Sequence, residues 1–236
     1  MLKLILSFSL LLFSFSVFGI NAVTFNLVIP CKPGIKDSLD YQILYNGRFW
    51  ENQIYNTDGH QFFLSSDFAS GSVIVDGYKY DSIKIKYDIF NDELLIRRKD
   101  GVIVQLNKEL IDSFCLNFNN ETLSFKNIED QGRNLTGYYN VLYDSGIRIY
   151  VKYRKEILPT TFTNGPPRFN QVNKIYIIKE GQIHRTDTRK DLLILFMTRE
   201  EKQMIKEYIR NNHFRISRDD PGIFRRVIEY YETIKK

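Results

Sequence analysis

A mainly β, α+β fold, antiparallel and carrying a short C-terminal helical appendage, is what this sequence predicts, on three observations. Between Ser72 and Leu106, short apolar runs are separated by Asp76-Gly77, Asn91-Asp92 and Asp100-Gly101. Asp-Gly between apolar runs signals a hairpin, because a type I′ turn needs two residues at positive φ. Within the runs, side chains alternate: Ile83, Ile85 and Tyr87 on one face, Lys84, Lys86 and Asp88 on the other. That period of two marks a sheet with a dry and a wet side. After residue 188 the period changes to 3.6. Turns join the strands directly and leave no room for crossover helices, so a parallel sheet is not expected. The body is expected to be a meander of about ten or more strands, curled into a barrel-like or two-sheet form.

Residues 1–22 read as a signal peptide. Lys3 supplies the positive start, Leu4 to Phe18 is apolar apart from serines, and Gly19-Ile20-Asn21-Ala22 offers small residues for cleavage after Ala22 or Gly19. About fifteen apolar residues fall short of the roughly 20 that span a bilayer. Residues 23–188 then form the β-rich domain and 189–236 the helical segment packed on it. Once the signal is removed, no transmembrane helix is expected.

Along that domain, strands are expected at Val23 to Ile29, Tyr41 to Tyr45, Arg48 to Tyr55 and His60 to Leu64, with turns at Asn46-Gly47 and Asp58-Gly59. Lys108 to Leu116 reads as a strand, and Thr122 to Phe125 has weaker strand character before a loop at Gln131-Gly132. A clear hairpin pairs Gly137 to Tyr143 with Ile147 to Lys155 across Asp144-Ser145-Gly146. Thr160 to Asn173 reads as a long loop, and a last hairpin pairs Lys174 to Lys179 with Ile183 to Thr186 across Glu180-Gly181. A short helix is expected over Arg189 to Met197. Thr198 to Glu201 is a capping-box pattern opening a second helix, whose stripe is Met204, Ile205, Tyr208 and Ile209. In the third, Asp220 is the expected N-cap, Pro221 the first helical residue, and Phe224, Val227, Ile228, Tyr231 and Ile234 the buried stripe.

Four features in this order carry a family resemblance. They are the signal peptide, Gly77-Tyr78-Lys79-Tyr80 leading into Tyr87-Asp88-Ile89-Phe90-Asn91-Asp92, the Gly137-Tyr138-Tyr139 to Tyr153 hairpin, and a Lys/Arg-rich helix pair ending in Glu229-Tyr230-Tyr231. Most of the chain resembles a group of uncharacterised exported proteins of Bacteroidota-type bacteria. The resemblance implies an address (periplasm, cell surface or secreted) and a fold, and no activity.

The chemistry visible in the sequence is sparse. No His has another His or Cys three to five residues away, so no metal or cofactor is expected from spacing. Asp88, Asp92 and Glu93 form the densest acidic cluster, and turn chemistry already accounts for it, with Asp88 on the wet face of its strand. No G-x-S-x-G, P-loop or G-x-G-x-x-G occurs. Cys31 and Cys115, an even pair in an exported chain, permit a disulfide or two buried thiols. The face Arg148, Tyr150, Lys152, Arg154 interleaves cations with an aromatic and is the candidate ligand surface, for a sulfated or phosphorylated glycan or a lipid headgroup. The alternative is an ordinary wet sheet face.

Net charge is +5, and residues 23–188 are neutral with 20 basic and 20 acidic side chains; the surplus of 12 against 8 lies in 189–236. Such a distribution lacks the dense basic stripe of a nucleic-acid binder. The expectation is an exported cell-envelope protein, non-enzymatic, structural or binding another envelope protein. The alternative is a carrier or sensor for a small amphiphile or glycan held in a curved β cup. An enzyme ranks third.

Overall fold

A computed structural model describes residues 41–129, 135–159 and 165–235. The expected signal peptide, the Val23 to Ile29 strand, Cys31 and Gln131-Gly132 lie outside those residues. The strands are β1 (Arg48–Phe49), β2 (Ala69–Val75), β3 (Tyr78–Asp88), β4 (Glu93–Arg97), β5 (Ile103–Gln105), β6 (Ile111–Phe118), β7 (Glu121–Glu129), β8 (Thr136–Asp144), β9 (Ile147–Leu158), β10 (Arg168–Lys179) and β11 (Gln182–Arg185). They form one open antiparallel sheet in the order β1-β5-β4-β3-β2-β6-β7-β8-β9-β10-β11, not closed into a barrel. Three helices follow: α1 (Arg189–Ile194), α2 (Arg199–Asn211) and α3 (Pro221–Ile234). Among the described residues, no helix is long and apolar enough to cross a membrane.

Several expected turns form where the dipeptides sit, but Asn46-Gly47 and Asp58-Gly59 do not join paired strands. Asp76 and Gly77 join β2 to β3, Glu180 and Gly181 join β10 to β11, and all four have positive φ, as type I′ geometry requires. Asn119 and Asn120 do the same between β6 and β7, a hairpin the sequence reading did not isolate. Asn tolerates the left-handed region better than most residues, which explains the pair.

Elsewhere tertiary context overrides the local pattern. Tyr41–Tyr45 is a 3-10 helix rather than a strand, and it drops Leu44 into the core while Gln42 and Ile43 face out. The Arg48 to Tyr55 strand shrinks to β1, and His60 to Leu64 keeps only a bridge between Phe62 and Asp88. β10 begins at Arg168, so the expected long loop is cut short. In its first half the apolar residues, Phe169 opposite Ile157 and Val172 opposite Arg154, lie three apart around the polar Asn170 and Gln171, which leaves no alternation of period two to read.

Among the described residues, two large cores and one smaller apolar cluster share the sheet. The first gathers Val73, Ile85, Ile96, Phe114, Phe125 and Tyr138, covered by Leu44, Phe63 and Ile89. Aromatic rings dominate it: Phe114 stacks on Phe125 at 4.7 Å, and Tyr87 meets both edge-on at 5.3 Å. Each such ring contributes up to about 3 kcal/mol on full burial. In the second, Ile149, Val151, Ile175 and Ile177 of β9 and β10 pack against Ile205, Phe224, Val227 and Tyr231 of the helices. Tyr153 borders both cores.

The helix starts are set by reciprocal caps. Thr198 accepts from the Glu201 N–H, and the Glu201 carboxylate accepts from the Thr198 and Met197 N–H groups. Thr188 and Asp191 build the same box for α1. Asp220 precedes α3, but its side chain makes no capping bond; its φ of −123° and ψ of 79° depart from the extended cap geometry, and Pro221 alone fixes the first turn. Glu201 also accepts from the Tyr231 hydroxyl at 2.8 Å, tying α2 to α3. Glu201→Ala is expected to cost about 1–2 kcal/mol, read as a lower urea midpoint with unchanged slope.

Candidate functional site

A cluster of half-buried charges lies where the β3–β4 turn meets β8 and β9. Asp92 ends that turn at a φ of 61°, which aims its carboxylate inward. Tyr87 Oη donates to Asp92 Oδ1 at 2.6 Å, and Lys152 Nζ of β9 reaches Oδ2 at 2.7 Å. Lys108, from the 3-10 turn before β6, also donates to Oδ2, and the Tyr138 N–H approaches it at 3.4 Å. Gly137 makes this convergence possible. At a φ of +90° it packs so closely under the cluster that a Cβ would overlap Asp92 Oδ2 and stand 2.8 Å from Lys152 Nζ. The two ammonium groups sit 5.0 Å over the Tyr138 and Tyr139 rings.

Burial alone would raise the Asp92 pKa, yet the Lys152 charge and the hydrogen bonds from Lys108, Lys152 and Tyr87 outweigh it and hold the carboxyl below its ordinary range. Lys152 moves down as well, which a symmetric ion pair would not do. Its burial outweighs the pull of Asp92, with Lys108 and Arg154 adding like charge. Tyr87, buried and facing Asp92, is pushed well up and stays a donor.

Asp88 corrects the wet-face expectation. It is fully buried, and its carboxylate accepts from the Phe90 and Asn91 N–H groups and from the Gln61 and Asn91 amides at 2.8–3.0 Å. Four hydrogen bonds offset the desolvation of one carboxylate. The segment around Gln61, folded over the end of β3, supplies the cover.

An open cleft of about 630 Å³ lies outside the Asp92 cluster, lined among others by Arg48, Asn107, Lys108, Glu109, Asn127 and Gly137. A second, of about 480 Å³, lies beyond Arg48 and is lined by Phe49, Trp50 and Gln61. Arg48, Asn91, Glu93 and Gln105 line both. Burial, then the neighbouring Asp88, raise the Glu93 pKa, and Arg48 opposes them across 3.6 Å.

The four residues of the expected ligand face share one side of β9 but not one environment. Arg148 and Arg154 are exposed. Tyr150 is 5% exposed against Leu135, Tyr139 and Ile178, and Lys152 is committed to Asp92. His60 rests 3.4 Å from Lys155 Nζ, and burial followed by the Lys155 charge lowers its pKa. His184 lies on β11 opposite Ile177. Among the described residues, no group of three or more His, Cys, Asp and Glu is arranged to hold a metal. Cys115, on β6, is not a free thiol.

Sequence reasoning missed Lys108 and Gly137. Lys108 has no motif around it, but an isolated Gly entering a strand is itself a signal of close approach by another group. No family model, curated protein or solved structure matches this chain.

Proposed function

We propose that the protein is exported to the cell envelope and acts there by binding rather than by catalysis. The observation that carries this reading is the arrangement at Asp92. Its most concentrated charges are spent on one another, two lysines and a tyrosine on one carboxylate, and this rigid hub backs an open polar cleft. Asp88 and Lys155 are spent in the same way, Asp88 on amides and Lys155 on the His60 and Phe62 carbonyls. A general acid or base must be able to reach a substrate, and these groups are already engaged with one another or with backbone and amide groups. Export rests on the character of residues 1–22.

Expression of the full chain with a C-terminal tag, followed by fractionation and intact mass, tests the address. The expected mass is that of residues 23–236 plus the tag, with one Cys31–Cys115 disulfide as the proposed pairing. A full-length mass in the cytosolic fraction overturns the export reading. Capture from envelope extract with native mass spectrometry tests binding: a stoichiometric envelope component supports it, and turnover of a supplied substrate by the purified chain overturns it.

A further inference from the structure

We propose that the two clefts flanking Arg48 form one groove for an uncharged oligosaccharide, which rests on the binding reading and names its ligand class. Arg48, Asn91, Glu93 and Gln105 are walls of both clefts, so the two volumes adjoin across a saddle. Strand register builds that saddle: Arg48 of β1 stands opposite Gln105 of β5, which stands opposite Leu95 of β4. Volumes of about 630 and 480 Å³ each fall within the ~300–1,000 Å³ typical of small-ligand sites.

The lining selects the class. Guanidinium, carboxamide and carboxylate groups offer the neighbouring donors and acceptors that paired hydroxyls satisfy. Beside them Phe49 is 76% exposed on an edge strand of two residues, and Trp50 follows it into the same cleft. Aromatic faces of this kind suit the apolar C–H face of a sugar ring. An apolar ligand would leave the carboxamides and carboxylates desolvated and unpaired.

Charge disfavours the anionic glycans. Asp92, Glu93, Glu109 and Glu129 line the larger cleft against Arg48 and Lys108, and with Lys152 paired to Asp92 from behind, four acidic groups face three basic ones. A sulfated or phosphorylated chain would meet net like charge there. A neutral one would not.

The chain contains a single tryptophan, Trp50, and it lines the groove, so its emission reports occupancy directly. The purified protein is titrated with maltohexaose, cellohexaose, mannohexaose and chitohexaose, and with a heparin hexasaccharide as the anionic probe. At least one neutral hexasaccharide is expected to shift Trp50 emission saturably. Phe49→Ala is expected to weaken that binding about tenfold. Phe49 is exposed, so the urea midpoint should stay put; Gln105→Ala serves as a second variant, read the same way. The proposal is overturned if no neutral hexasaccharide shifts the emission up to about 10 mM, if heparin binds more tightly than all of them, or if Phe49→Ala leaves binding unchanged. Each of these results leaves the binding reading to the separate test of envelope capture.

Discussion

Gly137→Ala is expected to destabilise the protein by about 2–3 kcal/mol. Two costs combine. The φ of +90° is strained for any residue with a Cβ, and the added carbon overlaps Asp92 Oδ2 and stands 2.9 Å from Lys108 Nζ. Asp92 retreats only by loosening its contacts with Lys108, Lys152 and Tyr87. Gly77→Ala separates the two costs. Gly77 has a φ of +76° with nothing within 4 Å of a built Cβ, so it carries the backbone strain alone, about 1 kcal/mol. Urea unfolding of both variants checks the difference, and equal losses would refute the assignment of Gly137 to the cluster.

Asp92→Asn is expected to cost about 3 kcal/mol near neutral pH, because it leaves Lys152 and Lys108 facing each other over an uncharged amide. The acid dependence follows from the same residue. The folded Asp92 pKa lies below its unfolded value of about 3.9, so its stabilisation is full above that value and is lost as pH falls through the folded pKa. In the variant the corresponding part of the acid limb disappears, and the loss of stability shrinks on acidification below about pH 4. Chemical denaturation between pH 2.5 and 7 reads both. Adding Lys152→Met should recover part of the loss, since it removes the buried charge that Asp92 neutralised.

The sheet was largely legible because its hairpins are written locally. Asp76-Gly77 and Glu180-Gly181 announce type I′ turns, and β9 alternates cleanly over Ile147 to Arg154. The capping box at Thr198 was legible for the same reason: its parts lie three residues apart. What could not be read depends on partners far along the chain. Asp88 looks solvated by alternation and is buried because the Gln61 segment folds over it. Lys152 looks like one cation of an exposed row until Asp92 arrives from sixty residues upstream. The groove beside Arg48 draws on β1, β4, β5 and the β3–β4 turn, so no spacing within one stretch announces it.

The order of strands also bears on the speed of assembly. All ladders join sequence neighbours except β1–β5 and β2–β6. The stretch from β6 to β11 can therefore zip by successive short closures, whereas seating β6 beside β2 requires Val75 and Ile111 to meet after β3 to β5 have been looped out. That closure, like the one that brings Phe49 to Val104, loses chain entropy before its contacts repay it. Substitutions along β2 and β6 should accordingly retard refolding, and those in the last hairpin should instead hasten unfolding.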